Sequence, residues 1–370
     1  MEQRHTFSRK KGEILMKKLS AELVKHLWAG VVIPAHPLAL NEDRSINEYH
    51  QRLLTQYYIA SGAGGIAVAV HSTQFEIRDP EFNLFETVLK WTSEEIAKAT
   101  LQGPFVKIAG ICGSTEQAIQ EAHTAIHYGY DIGLLSMGGL QDWTEAAILD
   151  RVREVAAVIP VFGFYLQPSV GGRVFSYAFW SEFVKIENVV AIKCASFNRY
   201  QTLDVMRALA NSGRHDKIVM YTGNDDNIVN DLMTTYRFPI GEKHVTIDFK
   251  GGLLGHWAVW TNKAVTLLEE VKEYKKNPQN QTANSLLRKA IAITDSNAAF
   301  FDPAHDFHGC IPGIHEVLRR QGLMKGAWCL NPNEVLSPGQ KEEIDRVYRD
   351  YPELNDDAFV ADFLQKKHHL

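Results

Sequence analysis

Residues 189–196 read VVAIKCAS, a short apolar and β-branched run that passes directly into a lysine. Apolar runs of about four to eight residues are typical of strands buried on both faces, as in a parallel sheet. A lysine near the end of such a strand either extends its ammonium into solvent or is held in a dry pocket. The rest of the chain decides between these two interpretations of Lys193.

Comparable apolar runs recur along the first two thirds of the sequence. Segments with helical periodicity separate them, and some begin with a capping box such as Ser114 with Gln117. Eight strands that alternate with helices predict a (β/α)8 TIM barrel. An open doubly wound sheet is the alternative, but the count of eight and the lack of GxGxxG after the first strand favour the barrel. The other predicted strands are 31–34, 65–70, 106–111, 132–136, 160–165, 217–222 and one near 245–255.

The domain organisation follows from the same patterns. We expect an N-terminal helical extension over 1–27, the barrel over 28–256 and a C-terminal helical domain over 257–350. The last 20 residues, 351–370, are polar, and we expect a loosely held tail there. The helices predicted in the C-terminal domain are 257–276, 282–299, 311–321 and 338–350.

Composition limits the classes of function. The 370 residues carry a net charge of −5, which gives no electrostatic reason to expect binding to nucleic acid or to an anionic membrane. The four cysteines are far apart and form no CxxC pair, as is typical of a reduced cytoplasmic protein. The charged N-terminus lacks the apolar core of a signal peptide, and no apolar run approaches membrane-spanning length. We therefore expect a soluble, cytoplasmic protein.

In a TIM barrel the chemistry takes place at the carboxyl ends of the strands. Lys193 and Tyr165 end adjacent predicted strands and are therefore expected at one mouth. This arrangement favours the pocket interpretation of the lysine. The candidate binding residues at the other strand ends are Ser72 and Thr73 after the second strand, Ser136 after the fourth, Gly223 after the seventh and His256 after the eighth.

The residue types suggest a reaction. A lysine has an ordinary pKa near 10.4, so almost no free amine exists at neutral pH unless burial lowers that pKa. The neutral amine then attacks a ketone and forms a Schiff base, which serves as an electron sink. Bond cleavage or formation beside the iminium needs a proton shuttle. Tyr165 is the predicted shuttle, and the hydroxyls of Ser72 and Thr73 are candidates to relay its proton or to hold a carboxylate.

The chain resembles the dihydrodipicolinate synthase and N-acetylneuraminate lyase family of class I aldolase-type barrels. The similar stretches include FGFYLQPSVGG (162–172), NVVAIKCAS (188–196), MYTGNDD (220–226) and GIAVAVHSTQFE (65–76). The resemblance implies that Lys193 is the Schiff-base lysine, that Tyr165 is the acid/base tyrosine, and that Gly223 is the glycine of the seventh strand. It also implies that the family's carboxylate-binding loop falls on residues 71–75.

Several positions depart from the family pattern. Where the synthases place an arginine that grips a second carboxylate, this chain has Val170, and the nearest arginine is Arg173. Gly138 and Gly139 occupy the place of a tyrosine that the synthases lend to a neighbouring subunit. His71 replaces a glycine of the carboxylate loop. These differences argue against aspartate semialdehyde as the substrate.

The sequence therefore predicts a Schiff-base-forming lyase or aldolase that acts on pyruvate or another 2-keto acid, with an aldehyde as a candidate second partner. A keto-deoxy sugar acid dehydratase with the same lysine is one alternative. A barrel that binds a keto acid or sugar without turnover is another. We expect no cofactor, no metal at His305 and His308, and a homodimer or homotetramer.

Overall fold

The computed structural model describes residues 16–368. The strands are β1 Val32–Pro34, β2 Gly65–Val68, β3 Val106–Ile111, β4 Ile132–Leu135, β5 Val161–Leu166, β6 Val189–Ala195, β7 Val219–Thr222, β8 Thr235–Ile240 and β9 Lys243–Leu254. The helices are α1 Ala21–Ala29, α2 Glu48–Ala60, α3 Phe85–Lys98, α4 Thr115–His127, α5 Glu145–Ala156, α6 Tyr177–Phe183, α7 Arg199–Asn211, α8 Ile228–Met233, α9 Thr261–Lys276, α10 Asn280–Phe301, α11 Cys310–Arg320, α12 Gln340–Asp350 and α13 Asp357–His368.

Eight of the strands form a parallel barrel in which each strand pairs with its neighbours in chain order, from β1 through β7 to β9. β9 pairs with β1 through Gly252, Leu253 and Leu254. On the other side of β1, a parallel bridge joins Ala35 to Ala67, and the amide of His36 donates to the carbonyl of Ala67 at 2.8 Å. These contacts close the sheet, so the predicted (β/α)8 barrel with a helical C-terminal region is confirmed.

The sequence did not predict β8. This strand pairs antiparallel with the first half of β9, from Lys243 to Asp248, through a turn at Gly241. The hairpin lies before the residues of β9 that join the barrel, at the amino end of the strand. It is therefore on the side of the barrel opposite to the carboxyl ends.

Two apolar clusters follow from the alternation of side chains along the strands. The barrel interior holds side chains such as Phe162, Phe164 and Leu166 of β5, together with Leu27 of α1. The larger cluster lies between the strands and the surrounding helices. Because successive residues of a strand face opposite clusters, the cluster to which a residue belongs shows which way its side chain points.

The C-terminal helices α9 to α12 match the four predicted segments to within a few residues. The prediction of a loosely held tail over 351–370 is wrong for the described residues. Residues 357–368 form α13, in which Val360 and Phe363 are buried, and the ring centroid of Phe363 lies 6.2 Å from that of Tyr57 in α2. These apolar side chains recur at helical spacing, which the polar composition of the segment concealed.

Of the predicted N-terminal extension, residues 1–15 lie outside the described part of the chain. Residues 21–29 form α1, and Tyr221 of β7 donates its hydroxyl hydrogen to the carbonyl of Leu27 at 2.9 Å. No helix within residues 16–368 has both the length and the apolar character needed to cross a membrane.

Candidate active site

Lys193 lies in the interior of the barrel near the carboxyl end of β6. Its neighbours on the same face, Ala191 and Ala195, belong to the interior cluster, and the lysine itself is only 7% exposed. The Nζ atom lies 4.4 Å from the ring centroid of Phe164 on β5. A Cβ atom on Gly223 would come within 2.4 Å of the lysine Cε, so the absence of a side chain at Gly223 makes room for the lysine.

The electrostatic environment makes this lysine unusual. Burial lowers the pKa of Lys193 to about 8, and the carboxylate of Asp225 opposes the shift. Burial in turn raises the pKa of Asp225 to about 7, while hydrogen bonding and the charge of Lys193 oppose that change. The amine and the carboxyl therefore both titrate near neutrality, as is often found at functional sites.

The sequence did not predict Asp225 as a residue of the site. It follows the end of β7, and one carboxyl oxygen, Oδ1, accepts a hydrogen bond from the backbone amide of His256 at 2.9 Å. Its backbone carbonyl accepts a hydrogen bond from Asn297 Nδ2 at 2.6 Å, which ties the loop to α10. The signal available in the sequence was TGNDD, which places an acidic residue two positions after the strand-end glycine.

Lys193 and Asp225 line a pocket at the carboxyl end of the barrel. Its walls are mostly apolar, and the C-terminal region supplies part of them through Phe301, Phe307 and Ile314. The polar side chains in the lining include His71, Ser72 and Gln167. A largely apolar pocket with a few polar groups and groups of shifted pKa is the usual form of a small-molecule site.

The position predicted for Tyr165 beside Lys193 is wrong. The pairing of β5 with β6 shifts register between Val161 and Phe162, so that Phe164, not Tyr165, lies opposite Lys193. Tyr165 points outward and packs against Trp180 of α6 with ring centroids 4.9 Å apart. Its hydroxyl accepts a hydrogen bond from the amide of Phe175 at 3.3 Å, and burial raises the pKa of Tyr165 to about 12.

Of the two hydroxyl residues predicted after β2, Ser72 lines the pocket and Thr73 does not. Both hydroxyls are engaged in the turn, since Ser72 donates to the carbonyl of Ala35 at 2.9 Å and Thr73 to that of His36 at 2.7 Å. His71 also lines the pocket, and burial together with the charge of Lys193 lowers the pKa of its imidazole to about 4.

Two other predicted binding residues do not line this pocket. Ser136 accepts a hydrogen bond from the amide of Gly138 at 3.2 Å and shapes the loop after β4. The ring of His256 packs near Phe300 and Trp260, and it lines a separate cleft beside α9 and α10. His256 contributes to the site through its backbone amide, which binds Asp225.

Arg173 does not replace the arginine that is missing at Val170. Its guanidinium donates to the carbonyls of Leu140 at 3.0 Å and Trp143 at 2.9 Å, so it holds the loop after β4. Val170 itself lines the pocket.

In the linker between α10 and α11, the imidazole of His305 contacts a neighbouring carboxyl group. His305 Nδ1 lies 2.6 Å from a carboxyl oxygen of Asp302, and the other oxygen of Asp302 accepts from the amide of Gly309 at 3.1 Å. Within residues 16–368 no group of three or more His, Cys, Asp or Glu side chains is arranged to hold a metal ion.

Solved structures of known enzymes share this architecture. Dihydrodipicolinate synthase from Oceanobacillus iheyensis matches with a TM-score of 0.70 and 18% identity, over 90% of this chain and 99% of that chain. N-acetylneuraminate lyase from Fusobacterium nucleatum matches with a TM-score of 0.66 and 17% identity, over 88% and 99%. The chain has the fold of these two enzymes. Chloride-inhibited dihydrodipicolinate synthase from Acinetobacter baumannii, solved with pyruvate, also matches, with a TM-score of 0.68 and 18% identity over 87% and 98%.

No protein-family model matches the sequence, and no curated protein matches it. The likeness to the dihydrodipicolinate synthase fold is therefore one of structure at low sequence identity. The matches cover nearly the full length of the known enzymes, which means that the barrel and the C-terminal helices are shared together.

Proposed function

We propose that this protein is a lyase or aldolase that forms a Schiff base between Lys193 and the carbonyl group of a 2-keto acid. The observation that carries the proposal is the inward-facing lysine, buried in an apolar pocket at the carboxyl end of the barrel with its pKa lowered to about 8. The fold likeness to lyases and synthases, two of them solved with pyruvate, supports the same class of reaction.

The chemistry follows from the lowered pKa. Because burial lowers the pKa of Lys193, a larger share of this side chain carries a free amine near neutral pH than in an exposed lysine. This amine attacks the carbonyl carbon, and loss of water gives an iminium ion that withdraws electrons from the adjacent carbon. The apolar walls exclude water, which protects the intermediate from hydrolysis.

Two polar side chains are candidates to hold the keto acid. Gln167 lines the pocket, and so does His71, whose imidazole is kept neutral by its low pKa. An amide and a neutral imidazole can each donate a hydrogen bond to a carboxylate, whereas the hydroxyl hydrogen of Ser72 is already donated to the carbonyl of Ala35. The substrate carboxylate would then lie near the cationic iminium, which compensates part of its desolvation.

One specific observation favours a second candidate, a barrel that binds a keto acid without turnover. Tyr165, the predicted proton shuttle, points away from the pocket, and Phe164 occupies the position opposite Lys193. A keto-deoxy sugar acid dehydratase would use the same lysine and differs only in the bond that breaks beside the iminium.

The test is reductive trapping. The protein is incubated with cyanoborohydride and a panel of 2-keto acids, and the intact mass is measured. We expect a mass increase of one reduced keto acid in the wild type and none in Lys193→Arg, with Lys107→Arg as the matched control that keeps the increase. A protein that gains no mass with any keto acid would contradict the proposal. Consumption of a trapped keto acid together with an aldehyde separates turnover from binding alone.

A further inference from the structure

Schiff-base formation requires proton transfers that Lys193 does not accomplish alone. The ammonium has to lose a proton before it attacks, and the hydroxyl of the carbinolamine has to gain one before it leaves as water. Phe164, which lies opposite Lys193, has no exchangeable proton, and the hydroxyl of Tyr165 binds the amide of Phe175 outside the barrel. The pocket therefore needs another acid/base group.

Four titratable side chains line the pocket, namely His71, Lys193, Asp225 and Cys310. Burial raises the pKa of the Cys310 thiol, so that it stays protonated. His71 is a weak base, because burial and the charge of Lys193 lower its pKa to about 4. Asp225 is the remaining group, and burial raises the pKa of its carboxyl, so it holds a proton more readily than an exposed aspartate.

The position of Asp225 is well defined. β7 pairs with β6 so that Lys193 lies opposite Tyr221, and the chain then turns through Gly223 to Asp225 at the same end of the barrel. The carboxyl is oriented by the amide of His256, and the backbone is held by Asn297. Asp225 is 8% exposed, so proton transfer takes place away from bulk solvent.

We propose that Asp225 is the catalytic acid/base of this site, which accepts the proton of the Lys193 ammonium and returns it to the departing hydroxyl. The proposal rests on the proposed function of Lys193. Lys193 and Asp225 line the same pocket without forming an ion pair, so in the first step the proton passes from Nζ to the carboxylate through an intervening water molecule. The amine then forms the C–N bond as the carbonyl π electrons move to oxygen. A proton moves from nitrogen to that oxygen, which gives the neutral carbinolamine.

In the second step the Asp225 carboxylic acid protonates the carbinolamine hydroxyl. The C–O bond breaks, water leaves, and the nitrogen lone pair forms the C=N bond. The ammonium and the ketone have then been converted to an iminium ion and water, and Asp225 is again a carboxylate. Its negative charge lies in the same pocket as the iminium that it helped to form, which stabilises the cation.

The test compares rates of reductive trapping with pyruvate in the wild type and three variants. We expect Asp225→Asn to slow adduct formation by about 10²- to 10⁴-fold, because proton transfer is lost while the hydrogen bond from His256 is kept. Asp226→Asn is the matched control, since Asp226 is the adjacent acid and does not line the pocket. This variant and Tyr165→Phe should trap pyruvate within about threefold of the wild type.

A second variant keeps the test decisive if Asp225→Asn folds poorly. In Asp225→Ala, added formate should restore part of the trapping rate, whereas formate should not affect the wild type or Lys193→Arg. An unchanged rate in Asp225→Asn, or an Asp225→Ala variant that is slow and not rescued, would overturn the role of Asp225 while the proposed function of Lys193 still holds. No adduct in the wild type would instead overturn the proposed function, and this role with it.

Discussion

At the scale of the residue, the reactivity of Lys193 arises from the place that β6 gives it. The neighbouring inward side chains, Ala191 and Ala195, are small, and Gly223 has none, so the long lysine stem fits between the strands. The Phe164 ring lies 4.4 Å from Nζ and gives the ammonium a cation–π contact, which replaces part of the hydration that the ammonium loses on burial. Burial still dominates, and the pKa falls to about 8.

The pair of Lys193 and Asp225 predicts a bell-shaped pH profile for trapping. Below about pH 7 both groups are protonated and no amine is free, and above about pH 8 the carboxyl has no proton to return. We therefore expect the rate of cyanoborohydride trapping to be highest between about pH 7 and 8 and to fall on both sides. The neighbouring groups that bear on this profile are His71, Cys310 and Asp226.

The control for this profile is Asp225→Asn, in which the fall at high pH should disappear. The profile is measured by intact mass at constant ionic strength, with the pH dependence of the reductant determined on a model amine. A rate that rises steadily to pH 10 in the wild type would contradict the assignment of both groups.

Gly223→Ala should displace Lys193. The new Cβ would lie 2.4 Å from the lysine Cε and 2.9 Å from Ala195 Cβ, so the flexible lysine has to move. Because a displacement of about 1 Å can cost about 10²-fold in rate, we expect trapping to slow by that order. Gly255→Ala is the matched control in the same pocket, where the nearest atom to a new Cβ is 3.4 Å away. Equal trapping rates in the two variants would show that the lysine is not confined as described.

At the scale of the element, β5 shows what the sequence could and could not predict. Its apolar run located the strand to within one residue, and that of β6 located its strand to within two, so Lys193 and Gly223 were correctly expected at one mouth. A shift of one residue, however, moves every side chain of a strand to the other face. The shift arises in β6, where Val190 has no partner because Val161 pairs with Val189 and Phe162 with Ala191, and no residue type in VVAIK signals this extra residue.

Loop geometry explains why other predicted site residues do not reach the pocket. Ser136 and His256 follow the correct strands, but the loops after a strand turn their side chains in directions that spacing alone does not determine. Asp225 lies in such a loop and was missed for the same reason. The positions and ends of the strands could be predicted from local sequence patterns. The orientation of a loop instead depends on contacts with distant residues, such as that between Asn297 and Asp225.

The contact between α2 and the segment before α13 gives a prediction on stability. Tyr57 is fully buried, donates its hydroxyl hydrogen to Asp356 Oδ2 at 2.7 Å and accepts a hydrogen bond from the amide of Thr261 at 2.9 Å. Tyr57→Phe leaves the amide of Thr261 without a partner and removes one of the two hydrogen bonds to Asp356 Oδ2, the other being donated by the amide of Asn262. This loss should lower the free energy of unfolding by about 1–3 kcal/mol. Urea denaturation followed by circular dichroism measures the change. Tyr49→Phe, at a residue that is 59% exposed, should not alter it.

Equal stabilities of Tyr57→Phe and the wild type would mean that the segment from Asp356 onward is not fixed to α2 through this hydroxyl.

At the scale of the whole molecule, barrel and C-terminal helices together form the pocket. The barrel supplies Lys193 and Asp225, while α10, α11 and the linker between them supply the apolar side chains of Phe301, Ile314 and Phe307. A pocket built in this way selects its substrate by shape and polarity as well as by the lysine chemistry.

This lining predicts a preference for keto acids with one carboxylate and an apolar side chain. Among the described residues that line the pocket, Lys193 is the only cation at neutral pH, and it is consumed in the bond to the substrate. A second carboxylate would be desolvated without a partner, at a cost of several kcal/mol. We expect 4-methyl-2-oxopentanoate and phenylpyruvate to be trapped at least about tenfold more efficiently than 2-oxoglutarate, as measured by the concentration dependence of adduct formation.

Arg173→Ala is the control for this preference. Because the guanidinium binds the carbonyls of Leu140 and Trp143, its removal should leave the ratio between the two types of keto acid unchanged. A loss confined to 2-oxoglutarate would show that Arg173 reaches the pocket, and the inferred substrate class would be wrong.

Peptide-level mass mapping after reduction tests whether Lys193 is the nucleophile. The wild-type protein is reduced with cyanoborohydride in the presence of the best keto acid of the panel, digested, and sequenced by tandem mass spectrometry. We predict one modified lysine, Lys193, within VVAIKCAS. An adduct on another lysine, such as Lys107 or Lys263, with Lys193 unmodified, would contradict it.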